Sequence, residues 1–523
     1  MSDRPRCIVV LSDACDPEVA EVAEIVRVAM VRSFSGSVVR ARGYGRPAPD
    51  EAAAVAVAPP EGSAGSLSAF ASGGRKLLLL GPLGPRAASI AGLPATAPAD
   101  VTEAEASAPA RRDTPFDVSP ALWRWNVAGP SGAETPLPVR AFCRFDFAEE
   151  WNHLGHGRIP ADPGPWSSWT TPTAGDAVEA ARVEVDGTRR GIVAARLETE
   201  TAAILWIGRR VGPVDGLDWT VVERFFSDHR HGELPCWPSF CDWPAGFDAG
   251  ATFRLDCDEA VASARPLFDR YRERGVPVSL ALRAGLELAG EDRRLVADVV
   301  ASGGTLLSHS TRHLPDWGRD LAEARAEARG SRARLEALFP EAGPVRFAVS
   351  PFHRNPRHAV RAVAEAGYEA LVTGSIANDP ECLIGRAGTL PFSDPPLVSH
   401  SQQNMLHGDG YARQGESVRA WREAAESHRR AGALYGYLDH PFSERYSYGW
   451  TGETQRRSAH DSLLDAILAW ERPWLPSLGQ ALGHLVRRAR TELALDDAGR
   501  PRAAGPPGPT PFSVRLGGAW RAV

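Results

Sequence analysis

Lysine is all but missing from this chain: of its 59 basic residues only Lys76 is a lysine. Beside 50 glycines and 43 prolines, that scarcity reads as the coding bias of a GC-rich genome. Positive charge is also short. A net charge of −6 and a pI near 6.2 exclude a basic nucleic-acid surface. Paired cysteines are lacking too. The seven are scattered, and Cys236 and Cys241 have no second pair with which to form a zinc ribbon. They read as free thiols of a reducing compartment. Long apolar runs are absent: no stretch approaches the ~20 residues of a membrane span. The run "CIVVLS" near the start is too short for a signal-peptide core. A cytoplasmic protein without a membrane span is expected.

What is present is an ordinary globular composition, 43% apolar and 24% charged, over 523 residues. That length suggests two or three domains. Residues 1–90 alternate strand and helix patterns: "CIVVLS" (7–12), "PEVAEVAEIVRVAMVRSF" (17–34), "AAAVAVAP" (52–59) and "LSAFASGGRKLLLLGPL" (67–83). This βα order predicts an open parallel sheet. Residues 91–118 read as a long loop. "ARVEVDGTRRGIVAARLE" (181–198) predicts a hairpin turning at Asp186-Gly187, part of an antiparallel insertion over 137–205. A strand at 202–212 and a helix at 217–229 follow. The Pro/Trp/Gly-rich segment 234–250 marks a boundary. Beyond it, strand-like segments recur at 250–257, 276–282, 303–309, 344–350, 369–375, 396–400 and 433–439, with helical patterns between them. The expected class is α/β: an open-sheet domain over 1–235, a distorted (β/α)7 barrel over 236–490, and an irregular tail over 491–523.

In βα barrels the reacting groups collect at the C-terminal ends of strands. The first barrel strand ends in "TFRLDCDEA", with Asp256 and Asp258 one residue apart. Two such carboxylates repel each other unless a cation or a shared proton intervenes. Taken alone, the pair reads equally well as a helix cap and a first-turn acid. The third strand ends in "HSTRH", placing His309 and His313 four apart, a spacing that lets two imidazoles reach one ion. The last ends in "YLDH", with Asp439 and His440. Two histidines and one carboxylate leave open positions, as a catalytic metal requires.

These residues, in this order, resemble the polysaccharide deacetylase family with the NodB-type domain, carbohydrate esterase family 4. The resemblance covers about residues 236–480. "FRLDCDE" is similar to the family's Asp-pair motif, "HSTRH" to its His-Ser/Thr-x-x-His motif, "YLDH" to its Leu-x-His strand end, and "FAVSPFHRNPRHAVRAVAEAGYEALVTGS" to its third motif and following helix. The resemblance implies that Asp258, His309 and His313 bind a divalent metal, most often zinc. It implies Asp256 as general base and His440 as general acid. Backbone groups around Pro351, Phe352 and His353 would face the substrate and its oxyanion. The implied reaction is metal-dependent hydrolysis of an N-acetyl (or O-acetyl) group on a carbohydrate or glycan intermediate.

Two departures matter. Cys257 separates the aspartates, so their roles could be exchanged. Ala348 stands where the family often has an Arg that orients the base. A catalytically inactive carbohydrate-binding or scaffold protein is therefore the alternative, with a hydrolase of non-sugar amides as a third reading. The first domain more loosely resembles a class I glutamine-amidotransferase-type or flavodoxin-like domain, without an elbow bearing a nucleophilic Cys or Ser. His353, His400 and His407 are pocket candidates at most. His153 and His156 read as loop histidines in an unexplained Trp/His-rich segment, and "GRRVGPVDG" (208–216) as a turn. Nothing in the sequence specifies an oligomer.

Overall fold

The computed structural model describes residues 6–98, 121–126, 140–141, 167–372, 385–400, 404–406, 408–441 and 447–523. His153, His156 and His407 lie outside them, as does most of the loop expected over 91–118.

The first domain is built on one nine-stranded sheet. Strands Val39–Gly43, Cys7–Ser12, Glu51–Val57, Lys76–Leu80 and Ala203–Ile207 run parallel in that spatial order. The near-continuous apolar sequences of the inner four fit burial on both faces, while Val39–Gly43 is a mostly exposed edge strand. Helix Pro17–Phe34 packs across one face. It starts at Asp16, whose side chain accepts the Glu18 and Val19 amides, with Pro17 in the first turn. The insertion extends the same sheet with antiparallel strands Thr188–Glu198 and Val178–Val185, and Ala121–Trp125, ahead of its expected start at 137, pairs with the latter. Its hairpin turns at Asp186 and Gly187, both at positive φ, the backbone that a two-residue turn of matching twist needs. In "GRRVGPVDG" the charges are spent internally: Arg209 lies 3.7 Å from Asp215, and Arg210 pairs with Glu18.

The second domain holds seven parallel strands: Ala249–Cys257, Ser279–Leu282, Leu306–Ser308, Phe347–Val349, Ala370–Val372, Val398–Ser399 and Tyr435–Asp439. An antiparallel pair, Gly388–Thr389, lies at the edge. Tyr435–Asp439 pairs on the outer side of Ala249–Cys257, so first and last strands are neighbours. The sheet curls. Thr252 of the first strand meets His400, just past the sixth, at 3.3 Å. Asn404 exchanges backbone bonds with Gly436 and Leu438 of the last strand. The expected barrel is thus a curled sheet with a single-residue bridge where a full ladder would close it. One face packs on helices that include Arg265–Glu273 and Leu321–Leu338, and the other on Leu478–Ala489.

The tail expected to be irregular is not. Residues 492–522 hold four short strands. Phe512–Leu516 pairs with Ser239–Pro244 at the domain boundary. Leu493 and Glu492 bond to Ser35 and Ser37 of the first domain. The segment's Pro/Gly content hides two short hairpins, Glu492–Leu495 with Pro501–Ala504 and Phe512–Leu516 with Ala519–Ala522, anchored to residues hundreds of positions away.

A buried charge network joins the domains. Arg386 grips Glu223 through two bonds of 2.8 and 2.7 Å, and Asp242 accepts from Arg488 at 2.6 Å and lies 3.4 Å from Arg386. Burial would raise the Asp242 pKa, but the two guanidinium charges hold it well below the carboxylate range. Arg386→Met leaves Glu223 buried and uncompensated. It is expected to cost about 3–5 kcal/mol, read as a lowered denaturation midpoint in guanidinium chloride.

Candidate metal centre

Three strand ends bring the polar residues together. Asp258 follows Ala249–Cys257, His309 follows Leu306–Ser308, and His440 follows Tyr435–Asp439. Asp258 Oδ1 lies 3.3 Å from His309 Nε2 and 3.4 Å from His313 Nε2, and the two imidazole nitrogens are 3.1 Å apart. A tetrahedron with the ~2.0–2.1 Å ligand bonds of zinc has edges of about 3.3 Å. The three atoms therefore sit as three corners of such a shell, and the trio forms a cluster able to hold a metal ion.

The local backbone explains how. The His309 ring donates Nδ1–H to the Val349 carbonyl at 3.0 Å, which leaves Nε2 with its lone pair aimed into the cluster. His313 is turned back toward it by Ser310 and His313, both at positive φ, and by a bond from the His313 amide to Ser310 Oγ. Glu327 accepts the Thr311 and Arg312 amides and clamps the loop. Non-glycine residues in the left-handed region cost of order 1 kcal/mol each and persist where surrounding structure over-determines them.

The charge balance suits a cation. Burial opposes protonation of His309, yet Asp256 and Asp258 outweigh it and raise its pKa. Burial, and next the neighbouring His309 charge, pulls His313 down to about 4. Burial pushes Asp258 up, but the three histidines outweigh it and lower its pKa. The two carboxylates thus favour one positive charge between them and the imidazoles.

Of the two aspartates it is Asp258 that joins the histidines. Asp256 is tied elsewhere. Its carboxylate accepts Arg254 Nε at 2.6 Å and Nη2 at 2.9 Å, with both side chains buried. Burial alone would raise its pKa; the Arg254 charge, then those of His309 and His440, hold it well below the carboxylate range. Arg254 was missed in the sequence. It occupies position i−2 of Asp256 and so shares its face of the strand, in the stretch "FRLD". Ala348 is packed in the apolar cluster with Leu255 and Cys257, on the face of the sheet opposite Asp256. The charge that steadies Asp256 comes from its own strand.

His440 Nε2 lies 3.8 Å from Asp258 Oδ2, and its ring stacks on Tyr448 at 5.1 Å. Behind it, Asp439 accepts the His440 amide at 2.7 Å, His460 at 2.8 Å and Arg456 at 3.1 Å. His460 also meets the hydroxyls of Tyr271 and Tyr437, so a fully buried network fixes the strand end that carries His440. Phe352 is 41% exposed and its ring lies 4.7 Å from that of His313, forming a wall of the site. Pro351 has no N–H, and the His353 amide donates to the Ser350 carbonyl. Of the three residues expected near an oxyanion, this leaves the Phe352 amide. His400 is buried against Thr252 away from the cluster, and burial lowers its pKa to about 3. Cys236 and Cys241 are buried free thiols.

No family model and no curated protein matches this sequence. Solved structures do. The carbohydrate deacetylase Agd3 aligns over 98% of this chain and 93% of its own, at 9% identity and a TM-score of 0.37. A protein assigned as a polysaccharide deacetylase from Mycobacterium smegmatis aligns over 46% of this chain and 92% of its own, at 15% identity and 0.35. The PuuE allantoinase aligns over 47% and 92%, at 13% identity and 0.36. Likenesses of this size leave the activity to be argued from the site itself. Among the described residues no helix is long and apolar enough to cross a membrane.

Proposed function

We propose that this chain is a metal-dependent hydrolase of the polysaccharide deacetylase type, removing an acetyl group, N-acetyl above all, from a carbohydrate or glycan intermediate. The observation that carries this reading is the convergence of Asp258, His309 and His313 at 3.1–3.4 Å beside a second, separately held carboxylate. Those three residues would hold the ion, with zinc favoured by two imidazoles and one carboxylate. When bound, the metal supplies Lewis-acid polarisation of the acetyl carbonyl and a lowered water pKa.

The chain's own residues do the rest. Asp256, kept ionised by Arg254, accepts the proton of the attacking water. The Phe352 amide donates to the carbonyl oxygen as charge develops there. His440 gives a proton to the departing amine, a poor leaving group without one. Phe352 and Tyr448 flank the cluster with apolar surface against which a sugar ring can lie.

Zinc-supplied protein is expected to release acetate from members of a panel of N-acetylated sugars, to stop on chelation and to recover on zinc return. Cleavage confined to non-sugar N-acyl amides would move the substrate class. No acyl release at all from zinc-loaded protein would leave a sugar-binding protein instead. His440→Ala is expected to lower kcat by roughly 10²–10⁴-fold with bound zinc unchanged. Zinc loss in that variant would make His440 a ligand and not an acid.

A further inference from the structure

The one lysine of the chain is buried against a thiol. Lys76 opens the central strand Lys76–Leu80 and has no exposed surface. Its Nζ lies 2.9 Å from Cys236 Sγ, across 160 residues of sequence, and 5.9 Å from the centre of the Phe225 ring. Cys236 Sγ also lies 3.7 Å from the His229 carbonyl. On its other side Cys236 lines a cleft of about 730 Å³, walled by Trp237 and by Leu493 and Leu495 of the tail. The proposed hydrolysis uses neither residue. Every other basic side chain here is Arg or His, and an arginine stays protonated in proteins. A lysine at this one buried position supplies what those cannot, a nucleophilic amine.

We propose that Lys76 and Cys236 are a modification site: a peroxide entering from the cleft drives formation of a reversible S–N cross-link between them. Peroxide first oxidises the Cys236 thiol by two electrons to a sulfenic acid, and one water leaves. The Lys76 amine then attacks sulfur. The S–O bond breaks, the S–N bond forms, and the hydroxyl departs as a second water with a proton from nitrogen. One peroxide is consumed and the protein loses two hydrogens. A small thiol reverses the link by attacking sulfur and returning the amine, and a second thiol frees Cys236 as the small thiols pair. Burial raises the Cys236 thiol, and the charge of Lys76 is the largest influence opposing that rise. Burial likewise lowers Lys76, with Cys236 the main opposing influence. Each residue thus supports the charged form of the other, and oxidation of the sulfur removes what kept the amine protonated.

The test uses the chain's own composition. A protease that cleaves only after lysine has one site in this protein, at Lys76. Untreated full-length protein, denatured, is expected to be cut once. Protein treated with hydrogen peroxide while folded is expected to resist, to be cut again after dithiothreitol, and to lose two hydrogens in mass. Digestion with a second protease should yield a joined peptide pair containing Lys76 and Cys236, which makes the result independent of how any variant folds. Cys236→Ser should be cut after peroxide, and Cys241→Ser should behave as wild type. Full cleavage of treated wild type would overturn the proposal. So would equal protection of Cys236→Ser.

Discussion

His309→Ala is expected to purify without zinc under conditions that load the parent protein, and to lose acetate release by roughly a thousandfold or more. The size follows from the ion's task. Lewis-acid stabilisation of a developing oxyanion is worth several kcal/mol, and each ~1.4 kcal/mol is tenfold in rate. His309 contributes more to the cluster than a nitrogen atom. Its Nδ1 bond to the Val349 carbonyl sets the ring plane, and its Nε2 is the corner nearest to both Asp258 and His313. Without it, Asp258 and His313 remain as two ligands, too few for a closed or catalytic zinc shell. Metal analysis and an acetate assay on the same preparation check both halves. Zinc retained near one per chain with full turnover would show that the ion, if any, sits elsewhere. Zinc lost with turnover intact would show a structural ion and remove it from the chemistry.

The spacing of "DCD", "HSTRH" and "YLDH" was enough to bring the site residues onto three strand ends, because short polar motifs after apolar strands survive as sequence pattern. What the sequence hid were partners across space. Arg254 lies in a strand buried on both faces, where a charged residue reads as an anomaly until its carboxylate is located two residues away. His460 backs Asp439 from a helix twenty-one residues on, with no motif to announce it. The four tail strands are short and separated by Pro- and Gly-rich connections; they pair as two hairpins, anchored by Ser239–Pro244 and by Ser35 and Ser37. In the first domain, continuous apolar runs located four of the five parallel strands; the edge strand Val39–Gly43, "VRARG", is mostly exposed and carries no such run. The sheet order depends on crossovers that local pattern does not encode.

Arg254→Met is the change expected to uncouple the base from the metal. The fork of Arg254 is the largest influence holding the Asp256 pKa down, ahead of the His309 and His440 charges, and it is buried with it. Removing it leaves a buried carboxylate whose burial alone raises its pKa. In the parent, the folded pKa is depressed. The pair therefore adds stability above the unfolded carboxylate pKa of about 3.9, and loses it as pH falls through the lower folded value. In the variant that depression shrinks, leaving only the His309 and His440 charges to oppose burial. The stability deficit relative to the parent therefore grows as pH rises through the parent's folded value, to about 3–5 kcal/mol at neutrality. The same shift acts on turnover: the acid limb of kcat/KM is expected to move to higher pH, with zinc content unchanged because Asp258, His309 and His313 are untouched. Arg254→Lys keeps the charge and loses the two-point grip, and should fall between parent and Arg254→Met in both acid limb and stability. The readout that separates this from simple misfolding is the pH profile of zinc-loaded protein. An acid limb at its parental position in Arg254→Met, with turnover reduced only in proportion to folded fraction, would mean that Arg254 packs the strand and does not set the base.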